Sequence, residues 1–174
     1  IVVGALGHRK ALRGYSGHLP TALDVGDTIQ LLNIGGVLGV CDSANPDVGP
    51  PFECEVLGAI LTFPRTGDRI GKPAHISEGS LTPSDALHCR TPIVFVAGTC
   101  MNSGKTVAAA EIVRGLSRAG RRVAACKLTG VSLRRDSLAM VDAGAVMGLS
   151  FDDSGVVSTS GSGVASVARA ILNE

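Results

Sequence analysis

Hydrophobic and polar positions follow different patterns in the two halves of the chain. Up to about residue 70, short apolar runs such as IVVGA, DTIQLLNIGGVLGVC and ECEVLGAILTF are separated by glycine, proline and polar residues. Runs this short and rich in Val, Ile and Leu favour β-strands, and SANPDVGPP between them is typical of a turn-rich loop. The pattern predicts a small β-rich or α+β domain over residues 1–85.

The stretch 71–90 is polar, contains two prolines and reads as a linker between two domains. After it, PIVFVAG is a continuous apolar run, as expected of a strand buried on both faces. KTVAAAEIVRGLSRAG then places Val107, Ala110 and Val113 on one side and charged residues largely opposite, which predicts an amphipathic helix that ends at Gly120.

The alternation continues to the end of the chain. RRVAACKLTG predicts a second strand, and SLRRDSLAMVDAGA and VASVARAILNE predict two further helices. Alternating strands and helices are typical of a parallel sheet covered by helices. We therefore expect an α/β domain over residues 91–174. The chain opens on Ile1 without a Met and closes on Glu174 directly after a helical pattern, so we also expect a fragment in which this domain is incomplete.

Composition indicates which binding partners and which cellular compartment to expect. Apolar residues make up 45% of the 174 residues but aromatic residues only 3%, which suits a core of Ala, Val, Leu and Ile. The net charge of +1 argues against nucleic-acid or membrane binding, and no apolar stretch is long enough to span a bilayer. Five scattered cysteines without a C-x-x-C pair predict reduced thiols and a cytoplasmic protein.

The segment FVAGTCMNSGKTV carries the clearest chemical signal. It contains the Gly-Lys-Thr ending of the phosphate-binding pattern G-x-x-x-x-G-K-[ST] at a predicted strand-to-helix junction. Five residues lie between Gly98 and Gly104, so Thr99 stands where the general pattern has its first glycine.

Each residue type in this segment suits the binding of nucleotide phosphates. Backbone N–H groups of residues 102–106 would surround a phosphate at the helix N-terminus, where the peptide dipoles favour an anion. Lys105 would reach the terminal phosphates, and Thr106 would offer its hydroxyl to Mg²⁺. The predicted nucleotide-binding residues are Gly98, Thr99, Asn102, Ser103, Gly104, Lys105, Thr106 and Val107.

GTCMNSGKTV resembles the loop of dethiobiotin synthetase and its relatives among the P-loop NTPases, whose pattern is G-T-x-x-x-x-G-K-T. RRVAACKLTG and RRDSLAM are similar to that family's second strand, which ends in a lysine, and to its N-x-D-A-L-x-L segment. The resemblance covers about residues 92–143. It implies a P-loop NTPase sheet in which Lys127 faces the reacting groups, Asp136 holds Mg²⁺ with Thr106, and two copies form a homodimer.

The chain also departs from the family. Asn102 stands where the family has a glutamate that touches metal or substrate, which leaves the phosphate cradle intact and the second substrate open. The residues 1–85 have no counterpart in dethiobiotin synthetase.

Other readings of these side chains stay open. Lys127 could be a solvated lysine at a strand end, and Asp136 could pair with Arg134 or Arg135 on an exposed helix face. A lysine at the carboxyl end of a parallel strand nevertheless lies where open α/β sheets bind ligands.

Further acidic and thiol groups have simpler explanations than a site. Asp152 and Asp153 in LSFDDSG could form a second magnesium motif, although we expect a turn at Asp-Ser-Gly. Cys100 could be a reactive thiol at a helix N-terminus, although we expect a small buried residue behind the loop.

Three functions follow from these observations. The favoured one is a Mg²⁺-dependent enzyme that binds ATP and activates a carboxylate or carbamate of an unknown small molecule by phosphoryl transfer, with Lys105 and Lys127 neutralising the developing charge. The alternative is a GTP-binding accessory protein for cofactor or metal-centre assembly. In a third, the N-terminal half binds a partner or metabolite, and the nucleotide orders the two halves.

Overall fold

The computed structural model describes all residues from 1 to 174 and separates into two compact units, Ile1–Ser80 and Leu81–Glu174. The division falls within residues 71–90, the stretch whose composition predicts a linker. Each unit has its own strands and its own buried side chains.

The N-terminal unit is built around one five-stranded sheet. The strands are β1 (Ala5–Leu6), β2 (Tyr15–His18), β3 (Thr28–Asn33), β4 (Val37–Ala44) and β5 (Phe52–Glu55). The long strand β4 pairs parallel with β1 and antiparallel with β2 and β3, and β3 pairs antiparallel with β5. A 3₁₀ turn at Pro46–Val48 follows β4 in the loop SANPDVGPP, and β6 (Leu61–Thr62) pairs with β7 (Lys72–Pro73). The unit contains no α-helix, so of the two sequence-based alternatives it matches the β-rich one.

The core of this unit depends on an irregularity in β3. Ile29 and Leu32 are both buried although they are three positions apart, which strict alternation along a strand would not allow. The pairing of β3 with β4 shifts between Leu31 and Asn33, and this shift turns Leu32 toward the core. Leu32 then packs against Gly17 and Gly39, which leave room for its methyl groups because they have no side chain.

We predict that Gly39→Ala destabilises the N-terminal unit by about 1–3 kcal/mol, because the added methyl group overpacks the core. The new Cβ would lie 2.7 Å from Leu32 Cδ1 and 2.8 Å from the backbone oxygen of His18. Fluorescence of the single tyrosine, Tyr15 in β2, reports urea unfolding of this unit. Gly161→Ala, which meets no atom within 4 Å, is the control and should leave the Tyr15 transition unchanged. An unchanged transition in Gly39→Ala as well would contradict the close packing on Leu32.

The C-terminal unit alternates helices and strands. Its elements are α1 (Lys105–Arg118), β8 (Ala124–Lys127), α2 (Arg135–Asp142), β9 (Met147–Ser150) and α3 (Val164–Asn173). Strands β8 and β9 are parallel and α2 connects them, which makes a βαβ unit. The second strand and all three helices lie where the sequence pattern predicts them, and Gly120 adopts a positive φ of 76° just after α1. No helix in the chain has both the length and the apolar character that crossing a bilayer requires.

Helices cover both faces of the two-stranded sheet. Ala125 of β8 packs with Val113 of α1 and Met140 of α2, which forms the core on one face. The next residue, Cys126, points to the other face, where it contacts the cluster of Phe151, Val167 and Ile171. Small aliphatic side chains make up most of the first core, while the aromatic Phe151 is the largest buried side chain of the second.

The predicted strand at PIVFVAG is wrong: residues 92–98 form no strand, and Val94 and Phe95 are 64% and 68% exposed. A strand buried on both faces needs a hydrogen-bonded neighbour and helices on either side. The sheet of this unit contains only β8 and β9, and neither pairs with this segment. Val107, expected on the buried face of α1, is likewise 68% exposed.

Candidate functional site

The residues between Gly98 and α1 form a loop whose backbone alternates between ordinary and left-handed conformations. Asn102 has a φ of 61°, which is uncommon for a residue with a side chain, and Gly104 has a φ of 85°. Gly104 is the N-cap of α1, and no side chain caps the first N–H groups of the helix. These N–H groups remain available to an anion at the positive end of the helix dipole.

The ammonium group of Lys105 folds back over this loop. It donates hydrogen bonds to the backbone oxygen of Cys100 and, at 3.2 Å, to Oγ of Ser103. Since both partners belong to the loop itself, the lysine stands beside the backbone N–H groups that would face a phosphate. Lys105 is the first residue of α1 and is partly buried, so its position is set by the start of the helix.

A side chain at Gly98 would crowd the side chains of Ser103 and Lys105. A Cβ at Gly98 would lie 2.4 Å from Ser103 Oγ and 3.0 Å from Lys105 Cγ. The sequence pattern places this glycine at the entry of the loop, and in the structure the space beside it is taken by these two side chains. Thr99, Asn102 and Ser103 are exposed along the same loop.

A second group of charged side chains lies at the carboxyl ends of β8 and β9. Lys127 Nζ is 2.6 Å from Asp136 Oδ2, and the two side chains are 18% and 22% exposed. Lys127 Nζ also lies 5.8 Å from the ring centroid of Phe151 and 3.5 Å from the backbone oxygen of Val131. Asp136 therefore pairs with Lys127, and not with Arg134 or Arg135, its nearest arginines in the sequence.

The loops that follow β8 and β9 are hydrogen-bonded to each other. Gly130 N donates to Thr159 Oγ1 at 2.8 Å, and Thr159 N donates back to the Gly130 oxygen at 3.0 Å. Ser132 N donates to the Val157 oxygen at 2.8 Å. The segment STSGSG has the composition of a flexible loop, so the sequence did not predict this contact. The contact holds Gly130, which lies beside the Lys127 side chain.

Asp152 and Asp153 lie in a turn and do not form a metal-binding group with Asp136. They lie in a 3₁₀ turn at Phe151–Ser154, in which Asp153 Oδ2 accepts a hydrogen bond from Ser150 N at 2.8 Å. Arg134 Nη2 is 2.9 Å from Asp153 Oδ1, and its Nε is 3.9 Å from Asp152 Oδ2. The turn that we expected at Asp-Ser-Gly is thus present. No three His, Cys, Asp or Glu side chains lie close enough to hold a metal ion by themselves.

The structure therefore brings the predicted residues together in two groups. Gly98, Ser103 and Lys105 contact one another in the loop, while Lys127 and Asp136 form the ion pair. The hydrogen bonds of the Lys105 ammonium stay within its own loop, and Lys127 bonds to Asp136 and Val131.

The cysteines nearest the two groups differ in environment. Cys100 is exposed, so our expectation of a small buried residue behind the loop was wrong. Cys126, directly before Lys127, is half-buried, and burial raises the pKa of its thiol, with a smaller contribution from Cys89. A raised thiol pKa favours the neutral form, so this group stabilises the fold below the ordinary thiol pKa and loses that effect as the pH rises through the raised value.

We predict that iodoacetamide at mildly alkaline pH modifies Cys100 roughly tenfold or more faster than Cys126, because the thiolate is the reactive form. Peptide mass spectrometry of the folded chain over time measures both rates. In urea the two rates should converge, because unfolding removes the burial that raises the Cys126 pKa. Equal rates in the folded chain would contradict this difference.

Comparison of the chain with known protein families, with characterised proteins and with solved structures gave no match. The assignment of function therefore depends on the residues and geometry described above.

Proposed function

We propose that the C-terminal unit is a P-loop nucleotide-binding domain, and that the protein is a Mg²⁺-dependent enzyme that uses ATP to activate a small-molecule carboxylate or carbamate. The loop from Gly98 to Thr106 is the observation that carries this proposal. It combines two left-handed residues, an uncapped helix N-terminus and a lysine folded over the loop. Phosphate groups are bound by this combination of backbone N–H groups, helix dipole and ammonium group.

The other predicted residues have consistent roles in such an enzyme. Lys105 and Lys127 would neutralise charge that develops on the transferred phosphoryl group, which is the main protein contribution to this class of reaction. Thr106 and Asp136 would hold Mg²⁺ through a hydroxyl and a carboxylate oxygen, the ligand types that Mg²⁺ prefers. Magnesium, when bound, would supply positive charge beside the nucleotide phosphates. A cytoplasmic homodimer is part of the proposal, and the five free cysteines agree with a reducing compartment.

Calorimetric titration of the whole chain with Mg-ATP and Mg-GTP tests the proposal. We expect saturable binding of ATP, and carboxylates and diamines would then be screened as the second substrate. Binding of neither nucleotide would contradict the assignment of a phosphate loop.

Preference for GTP would favour the second candidate, an accessory protein for cofactor or metal-centre assembly. The observation that favours this candidate is the separate β-rich unit Ile1–Ser80, which has no counterpart in dethiobiotin synthetase and could bind a partner.

A further inference from the structure

The hydroxyl group of Ser103 lies against the side chain of Lys105 in the loop before α1. Ser103 Oγ accepts a hydrogen bond from Lys105 Nζ at 3.2 Å. A Cβ at Gly98 would lie 2.4 Å from this oxygen and 3.0 Å from Lys105 Cγ, so the hydroxyl and the lysine stem both occupy the space beside the glycine. The contact between Ser103 and Lys105 thus involves the stem of the lysine as well as its charged end.

The Lys105 ammonium uses part of its hydrogen-bonding capacity inside the loop. An ammonium group has three N–H donors and no acceptor. One donor is used by the Cys100 backbone oxygen and one by Ser103 Oγ, which leaves a third for an oxygen from outside the chain. The first acceptor belongs to the backbone and would be present with any residue at position 100. The second exists only because residue 103 carries a hydroxyl group.

Two acceptors fix the direction of an ammonium group better than one. Lysine is among the side chains that lose most rotamer freedom when they are held in place. A lysine that moves freely in the empty protein loses this freedom when a ligand binds, which weakens binding. A lysine that is already held does not, and such preorganisation raises affinity.

Resting on the proposed function, we propose that Ser103 is a positioning residue of the nucleotide site. Its hydroxyl holds the Lys105 ammonium over the loop before the nucleotide arrives, and the third N–H donor is then directed to a terminal phosphate oxygen. Ser103 acts through Lys105 and not by contacting the phosphate with its own side chain. This role is additional to that of the backbone N–H groups of residues 102–106.

The mobility of the lysine ammonium groups, measured by ¹⁵N relaxation in the nucleotide-free whole chain, tests this role directly. In the wild type, the Lys105 ammonium should be ordered like that of Lys127, which is paired with Asp136. In Ser103→Ala it should become as mobile as the ammonium of Lys72, which is exposed. Lys127 and Lys72 should not change, so each spectrum contains its own ordered and mobile references.

The same variant should bind Mg-ATP about three- to tenfold more weakly in calorimetric titration, the scale of one lost hydrogen bond. Ser103→Thr keeps the hydroxyl and should restore both the order of the Lys105 ammonium and the affinity. Ser77→Ala is the matched control, because Ser77 is an exposed serine of the N-terminal unit whose Oγ lies 2.6 Å from Nδ1 of the neighbouring His75. It should change neither quantity.

Three results would overturn the proposal. If the Lys105 ammonium is equally ordered in Ser103→Ala, the hydroxyl does not hold it, and any loss of ATP affinity then comes from a direct contact with phosphate. If the ammonium becomes mobile but the affinity is unchanged, its position does not matter for binding. The third is a loss in Ser103→Thr as large as in Ser103→Ala. A wild type that binds no ATP would contradict the proposed function, while the relaxation data would still decide whether Ser103 holds Lys105.

Discussion

Replacing Lys105 by alanine should reduce the affinity of the chain for Mg-ATP by about 30- to 150-fold. A hydrogen bond from a charged donor contributes about 1.5–3 kcal/mol, and the upper part of that range corresponds to this loss. In the structure the ammonium already lies over the loop, where it bonds to the Cys100 oxygen and Ser103 Oγ. A phosphate that enters the loop would meet this charge directly. Calorimetric titration of the variant alongside the wild type measures the loss.

The effect must be separated from a change in net charge and from a loss of folding. Lys72→Ala removes the same charge from an exposed position in β7 and should leave ATP affinity unchanged. Alanine is a strong helix former, so Lys105→Ala should keep α1 and its helical circular dichroism. If Lys105→Ala binds ATP as the wild type does, the loop is not the phosphate site, whatever its conformation.

The helices of the C-terminal unit could be predicted from sequence because their signals are local. Residues of one helix face recur within a few positions, and glycines such as Gly120 mark the end of a helix through the conformation they adopt. The predicted phosphate loop is a local signal of the same kind, since its glycines, lysine and threonine lie close together in the sequence. The exposure of Val107 could not be predicted from the local pattern. Which face of a helix is buried depends on the elements that pack against it.

Contacts between distant segments account for the rest of the site. Arg134 and Arg135 are closest to Asp136 in the sequence, but Lys127 becomes its partner because the chain turns back between β8 and α2. The hydrogen bond between Gly130 and Thr159 joins the loops that follow two different strands. Neither loop has a sequence pattern that predicts contact with the other. Such pairings follow from the topology of the sheet and not from any local run of residues.

Replacing Phe151 by alanine should destabilise the C-terminal unit by about 3–5 kcal/mol, the cost of deleting a buried aromatic side chain. Phe151 is fully buried and packs with Val167 and Ile171. Its truncation to alanine would therefore leave a cavity inside the unit. All α-helices of the chain lie in this unit, and helical circular dichroism in urea therefore reports its unfolding. A loss of this size is a large fraction of the stability of a small domain and could unfold it in water. Phe151→Leu, for which a smaller loss is expected, therefore provides a second measurement.

Phe95→Ala is the matched control, and it tests an element on which the sequence and the structure disagree. Phe95 is 68% exposed in a segment that forms no strand, so its truncation should change stability by less than about 0.5 kcal/mol. If PIVFVAG instead formed the buried strand that its apolar run predicts, Phe95→Ala would cost as much as Phe151→Ala. A large loss at Phe151 with none at Phe95 would place the core on α3 and the turn after β9, and would leave the segment before Gly98 outside it.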